Sequence, residues 1–160
     1  MAYQTTGTIT GMDVFQRAIT MMDELNDAGE YVYEDTEEYR NRTLAILNTL
    51  QNELYPYSDT CPKWQEWEHG RRPVLLPLES LDDVIDLDDY CAGTVLPYGL
   101  AAHLLLDENP TSAGFFQQRY DELKMALMRG VGKLNVSEDI DDIYGPNGGL
   151  YPYNEFSMWA

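Results

Sequence analysis

Basic residues are scarce in this chain: ten Lys and Arg stand against 28 Asp and Glu among 160 residues, a formal net charge of −18. A surface this negative repels phosphate, which excludes sequence-reading of nucleic acid through a basic face. The same surface can still border DNA where the task is to let it slide past without sticking. Cysteine is sparse too. Cys61 and Cys91 make no disulfide framework and predict a reduced intracellular setting. Met1 to Gly11 is polar and Thr-rich, without the basic-then-apolar pattern of a secretory leader. Apolar runs are short. Tyr90 to Leu106 spans 17 residues without Asp, Glu, Lys or Arg, at the low edge of the ~17–25 that a spanning helix needs. Gly93, Thr94, Pro97, Gly99 and His103 interrupt it and no basic residue flanks it closely, so it reads as a buried core helix and not a membrane span.

What remains is the composition of one folded domain, since Leu, Ile, Met, Tyr and Trp recur at spaced positions. Thr10 is placed to cap a first helix with Asp13 in its opening turn, and Val14, Ala18, Met21, Met22 and Leu25 form its stripe. Asn26 to Gly29 should end it. A second helix begins near Asp35 or Thr36, runs Tyr39, Thr43, Ile46, Leu47, Leu50 and Leu54 down one face, and stops at Pro56. Arg40, Arg42, Gln51 and Glu53 should point elsewhere. The stretch from 56 to 77 is proline-rich, with Trp64 and Trp67 suited to a short helical turn. Leu81, Val84 and Ile85 predict a third helix from about Ser80. The uncharged helix follows, kinked by Pro97 and Gly99. Phe116, Tyr120, Leu123 and Leu127 give a last helix, which Gly130 and Gly132 should terminate. Beyond it helical periodicity stops, while Ile143, Tyr144, Tyr151, Tyr153, Phe156 and Trp159 stand among Gly and Pro. This pattern suits an extended arm that docks on another surface. The expectation is an all-α fold: a small bundle of four to five helices over residues 1–130, with a long Pro-rich loop, and an extended aromatic arm over 131–160.

No catalytic constellation emerges. Glu79, Asp82, Asp83, Asp86, Asp88 and Asp89 put six carboxylates in eleven residues, but the glycine and final glutamate of a calcium loop are missing. They read as the solvated start of a helix. His69 and His103 have no Ser, Cys or second His at a relay or zinc spacing, and His103 reads as a satisfied core or interface residue. Gly130-Val131-Gly132-Lys133 ends like a phosphate loop, yet Leu127 replaces its first glycine and Leu134 its hydroxyl residue. The residues predict no enzyme, no metal and no cofactor.

Four segments in order carry a resemblance. They are Leu47-Asn48-Thr49-Leu50 through Glu53-Leu54 to Tyr55-Pro56-Tyr57-Ser58; Asp88-Asp89-Tyr90 with Leu96-Pro97-Tyr98-Gly99-Leu100-Ala101-Ala102; Phe115-Phe116-Gln117-Gln118-Arg119-Tyr120 with Glu122-Leu123; and Ile143-Tyr144-Gly145 before an aromatic terminus. Together, over roughly residues 36 to 129 and the tail, the chain resembles the head–tail connector (head-completion adaptor) proteins of tailed bacteriophages. The resemblance implies a virion protein of the head–tail neck, present in the host cytoplasm during assembly. It implies a ring, usually of twelve copies, under the portal protein. That ring extends the channel through which double-stranded DNA passes without specific binding, and offers a dock to tail-completion proteins. The arm residues Ile143, Tyr144, Tyr151, Tyr153, Phe156 and Trp159 would then reach along the portal. A closed ring needs two different patches on each subunit. The alternative class is an acidic helical regulatory module that binds a basic partner by imitating DNA.

Overall fold

A computed structural model of the chain describes residues 7–22 and 36–144; for Trp64 and residues 129–144 it is the backbone that is described. Four α-helices run through the described residues: α1 (Gly11–Met21), α2 (Glu37–Leu54), α3 (Leu96–Leu104) and α4 (Pro110–Tyr144). Among the described residues the β-structure is one isolated bridge, Thr10 with Val84. The fold is all-α. Two compact units divide it, Met1–Lys124 and Met125–Ala160.

In the first unit, Thr10 opens α1 with a reciprocal cap. Its hydroxyl accepts the Asp13 N–H at 3.2 Å, and the Asp13 carboxylate accepts the Thr10 N–H at 3.0 Å. Val14, Phe15, Ala18 and Ile19 are buried, so the face is wider than the predicted stripe, of which Met21 and Met22 stay half-buried. The expected end at Asn26 to Gly29 lies outside the described residues. α2 buries Tyr39, Thr43, Leu47, Leu50 and Leu54 as its periodicity dictates, and Gln51 with them. Gln51 therefore corrects the expectation that it points elsewhere. α2 ends at Leu54, as Pro56 predicts, and the chain tightens into a 3₁₀ turn, Tyr55–Tyr57.

α3 packs against both α1 and α2, and Val95, Leu96, Leu100 and Leu104 are fully buried there. Its approach is close: a Cβ on Gly99 would sit 2.9 Å from the Tyr120 ring and 3.1 Å from Leu50. The uncharged stretch is one continuous helical run from Asp89 to Leu104, as expected, and a π-helical turn interrupts its regular ladder ahead of Pro97. Cys91–Val95 forms that turn, which runs directly into α3 with Pro97 just past the junction. Leu106 and His103 are exposed, so His103 is not a core residue.

Residues 80–87 are not helical either. Ile85 N–H donates to the Ile9 carbonyl at 2.9 Å, while the N–H groups of Gly11 and Met12 donate to the Asp83 and Leu81 carbonyls at 3.1 and 2.7 Å. Leu81, Val84 and Ile85 match helical spacing, but pairing with the chain entering α1 takes the backbone groups a helix would use.

α4 buries Ala113, Phe116, Tyr120 and Leu123 within the first unit. In the second unit its backbone continues helical through Gly130 and Gly132 to Tyr144, beyond the predicted stop. Each glycine costs a helix about 1 kcal/mol relative to alanine, a penalty that strong helix formers such as Lys124 to Arg129 can outweigh. Residues 131–144 are thus helical and not extended, and the remainder of the predicted arm, 145–160, lies outside the described residues.

Candidate functional site

Of the residues predicted to dock on a partner, Ile143 and Tyr144 fall in the last turn of α4. Tyr151, Tyr153, Phe156 and Trp159 lie outside the described residues, so nothing here brings the six together. Among the described residues no group of three His, Cys, Asp or Glu side chains could hold a metal ion. Neither thiol is activated. Burial pushes the Cys61 thiol up, with Arg72 pulling weakly the other way. Burial and the neighbouring Asp88 charge raise Cys91 further.

A groove of about 490 Å³ opens between α1 and the π-helical turn, lined by Asp13, Arg17, Thr20, Thr94, Pro97 and Tyr98 among others. Its floor has a clear origin. Pro97 has no N–H to offer the Gly93 carbonyl four residues back, and Arg17 Nη1 donates to that oxygen at 2.7 Å. Arg17, the groove's cation, is thereby committed to the backbone.

The Pro-rich loop is more informative. The two tryptophans do not share one helical turn: Trp64–Glu66 and Glu68–Gly70 are separate 3₁₀ turns with Trp67 extended between them, and the Trp67 ring N–H donates to the Pro62 carbonyl at 2.9 Å. His69 and Gly70 both take left-handed backbone, φ 53° and 68°, and turn the chain into an extended strap, residues 71–78. A row of amides on α2 holds this strap. Asn52 Oδ1 accepts the Leu75 N–H at 2.8 Å, and Gln51 Nε2 donates to the Leu76 carbonyl at 3.1 Å. Asn48 grips Leu78 at both ends, accepting its N–H at 2.7 Å and donating to its carbonyl at 3.2 Å. Leu75 and Leu78 turn inward and are buried. Val74 and Leu76 face out, 73% and 88% exposed. Sequence reasoning missed this ladder, although three amides at i, i+3 and i+4 beside an apolar stripe are its signature.

The acidic run is partly structural. Asp83 accepts the N–H groups of Glu79 and Ser80, both at 2.9 Å, and Asp89 accepts the Thr8 N–H at 2.9 Å. Asp88 accepts the Cys91 N–H at 2.9 Å, the Ser58 hydroxyl at 3.0 Å and the Asp59 N–H at 3.1 Å. Burial pushes its carboxyl up, but the hydrogen bonds from Cys91, Asp59 and Ser58 outweigh it and hold it below the usual carboxylate value. Asp82 and Asp86 remain exposed on either side of Val84 in sequence, and Val84 and Tyr90 are 52% and 49% exposed.

Compared with models of known families, with curated proteins and with solved structures, the chain matches none. No described helix is long and apolar enough to cross a membrane.

Proposed function

We propose that the chain is a structural assembly protein: a head–tail connector that rings the portal, continues the DNA channel and receives tail-completion proteins. One observation carries the assembly part. The strap displays Val74 and Leu76 outward on a backbone that Asn48, Gln51 and Asn52 fix in place. Large exposed apolar side chains on a preorganised segment suit a protein–protein contact, because the ordering cost is met before binding. The portal and the neck of the virion enter through the resemblance of the four segments, and the acidic composition agrees with a wall along which DNA slides. The DNA-imitating alternative draws less support, because Asp83, Asp88 and Asp89 point their carboxylates at backbone N–H groups.

The test is electron microscopy of the chain mixed with the portal protein of the genome that encodes it. A ring of added density on one face of the portal is expected. A portal without added density, while the chain stays folded by circular dichroism, removes the connector reading.

A further inference from the structure

The strap has a counterpart elsewhere on the same molecule. Arg71 and Arg72 are exposed at its start; Glu66 and Glu68 precede them in the loop, but the strap itself, residues 71–78, holds these two cations and no carboxylate. A segment that offers paired cations beside two exposed aliphatic side chains fits a surface of the opposite kind, carboxylates beside exposed apolar groups. The turn at residues 82–90 is such a surface. Asp82 and Asp86 are exposed there while Asp83, Asp88 and Asp89 accept backbone N–H groups; Val84, between the two exposed carboxylates in sequence, and Tyr90, at the end of the segment, are half uncovered.

Within one chain the two do not cover each other. The strap is pinned to α2 by the amide ladder, the turn is pinned to the segment entering α1, and all four apolar side chains keep about half or more of their surface. Pro73 and Pro77 within the strap supply no N–H, which disfavours its addition as a β-strand and leaves its side chains to make contact.

We propose that the strap of one copy docks on the acidic turn of a second copy of this chain, Arg71 and Arg72 facing Asp82 and Asp86 while Val74 and Leu76 cover Val84 and Tyr90. Charge complementarity selects the occupant: the exposed carboxylates that match the strap are this chain's own. Because each copy carries one strap and one turn, the contact is heterologous and can propagate from subunit to subunit until it closes. The inference rests on the self-assembly half of the connector reading and says which patches would carry it.

Charge reversal tests it, with sedimentation over a concentration series on the full chain and circular dichroism as the folding control; all four charged side chains are exposed. Two Arg-to-Glu changes, R71E/R72E, move the formal charge from −18 to −22, and D82R/D86R moves it to −14. If only overall repulsion governed association, D82R/D86R would associate more tightly. Specific docking predicts the reverse: each double variant loses association by tenfold or more, and the quadruple variant, back at −18, recovers it. A wild-type chain that stays monomeric throughout, or D82R/D86R associating as well as wild type, overturns the docking. The connector reading is judged separately by the portal micrograph: added density there, with both double variants still forming it as wild type does, would sink the strap contact and leave the connector standing.

Discussion

Arg17 on α1 donates to the Gly93 carbonyl, the oxygen that Pro97 leaves without its helical partner. A Cβ at position 93 would crowd the Arg17 guanidinium and come within 2.6 Å of Ile9 Cδ1, so the small residue, the proline and the arginine form one unit. Replacing Arg17 with Met keeps the stem and removes the donor. A loss of about 1 kcal/mol is expected, read as a fall in Tm of roughly 2–4 °C for a chain of this length. Gly93→Ala should cost more, because the arginine and Ile9 must both move. An unchanged Tm in R17M would mean that water serves the carbonyl equally well.

Asp88 ties the loop after α2 to the start of the π-helical turn, and this makes stability depend on pH. Burial works against its ionised form, but the hydrogen bonds from Cys91, Asp59 and Ser58 prevail and keep the carboxyl below its ordinary value of 3.8. A carboxyl held lower in the folded state stabilises the fold above the unfolded value, and that contribution disappears as pH falls through the folded one. Wild type should therefore lose stability below about pH 4 more steeply than Asp88→Asn. At neutral pH the Asn variant should be weaker by about 0.5–2 kcal/mol, the usual range for a damaged cap. Urea titrations at neutral and acidic pH measure both effects, and parallel pH curves for the two proteins would refute the assignment.

The helical body was readable because its signals are local. Thr10 with Asp13, the Tyr39-to-Leu54 stripe and Phe116-Tyr120-Leu123 each report on a single element, and each is buried or capped as the spacing demands, save Ile46, which is half-buried. The errors arise where a distant partner decides. Leu81, Val84 and Ile85 have helical spacing, yet residues some seventy positions earlier take up their backbone. Gln51 looks like a surface residue until the Leu76 carbonyl arrives to accept its amide. His103 sits in an apolar run but on the side α3 turns outward. Of the candidate site, the strap was not legible, because its outward face depends on amides twenty or more residues away.

The amide ladder predicts a protease phenotype. Asn48→Ala with Asn52→Ala removes the acceptors of the Leu75 and Leu78 N–H groups, and unpaired backbone donors cost about 1–3 kcal/mol each when they stay buried. Releasing the strap is the easier response. Trypsin should then cut after Arg71 several-fold faster than in wild type, whereas the bond after Arg72 is protected by Pro73. Mass spectrometry of a brief digest locates the cut. Equal rates in both proteins would show that the strap is held by Leu75 and Leu78 alone.

The aromatic tail separates docking from packing. Ile143, Tyr144, Tyr151, Tyr153, Phe156 and Trp159 are spaced by Gly, Pro and polar residues, a composition that favours contact with a second surface over a helical core of its own. An arm that docks on another surface predicts that deleting residues 143–160 leaves the circular dichroism of the helical body and its Tm close to wild type. Binding to the portal should fall at least tenfold, because buried aromatic anchors carry about 2 kcal/mol or more each at such contacts. The single change Trp159→Ala should show a smaller loss in the same direction. If the truncated chain instead collapses, its tail is part of its own fold, and the docking role passes to the strap.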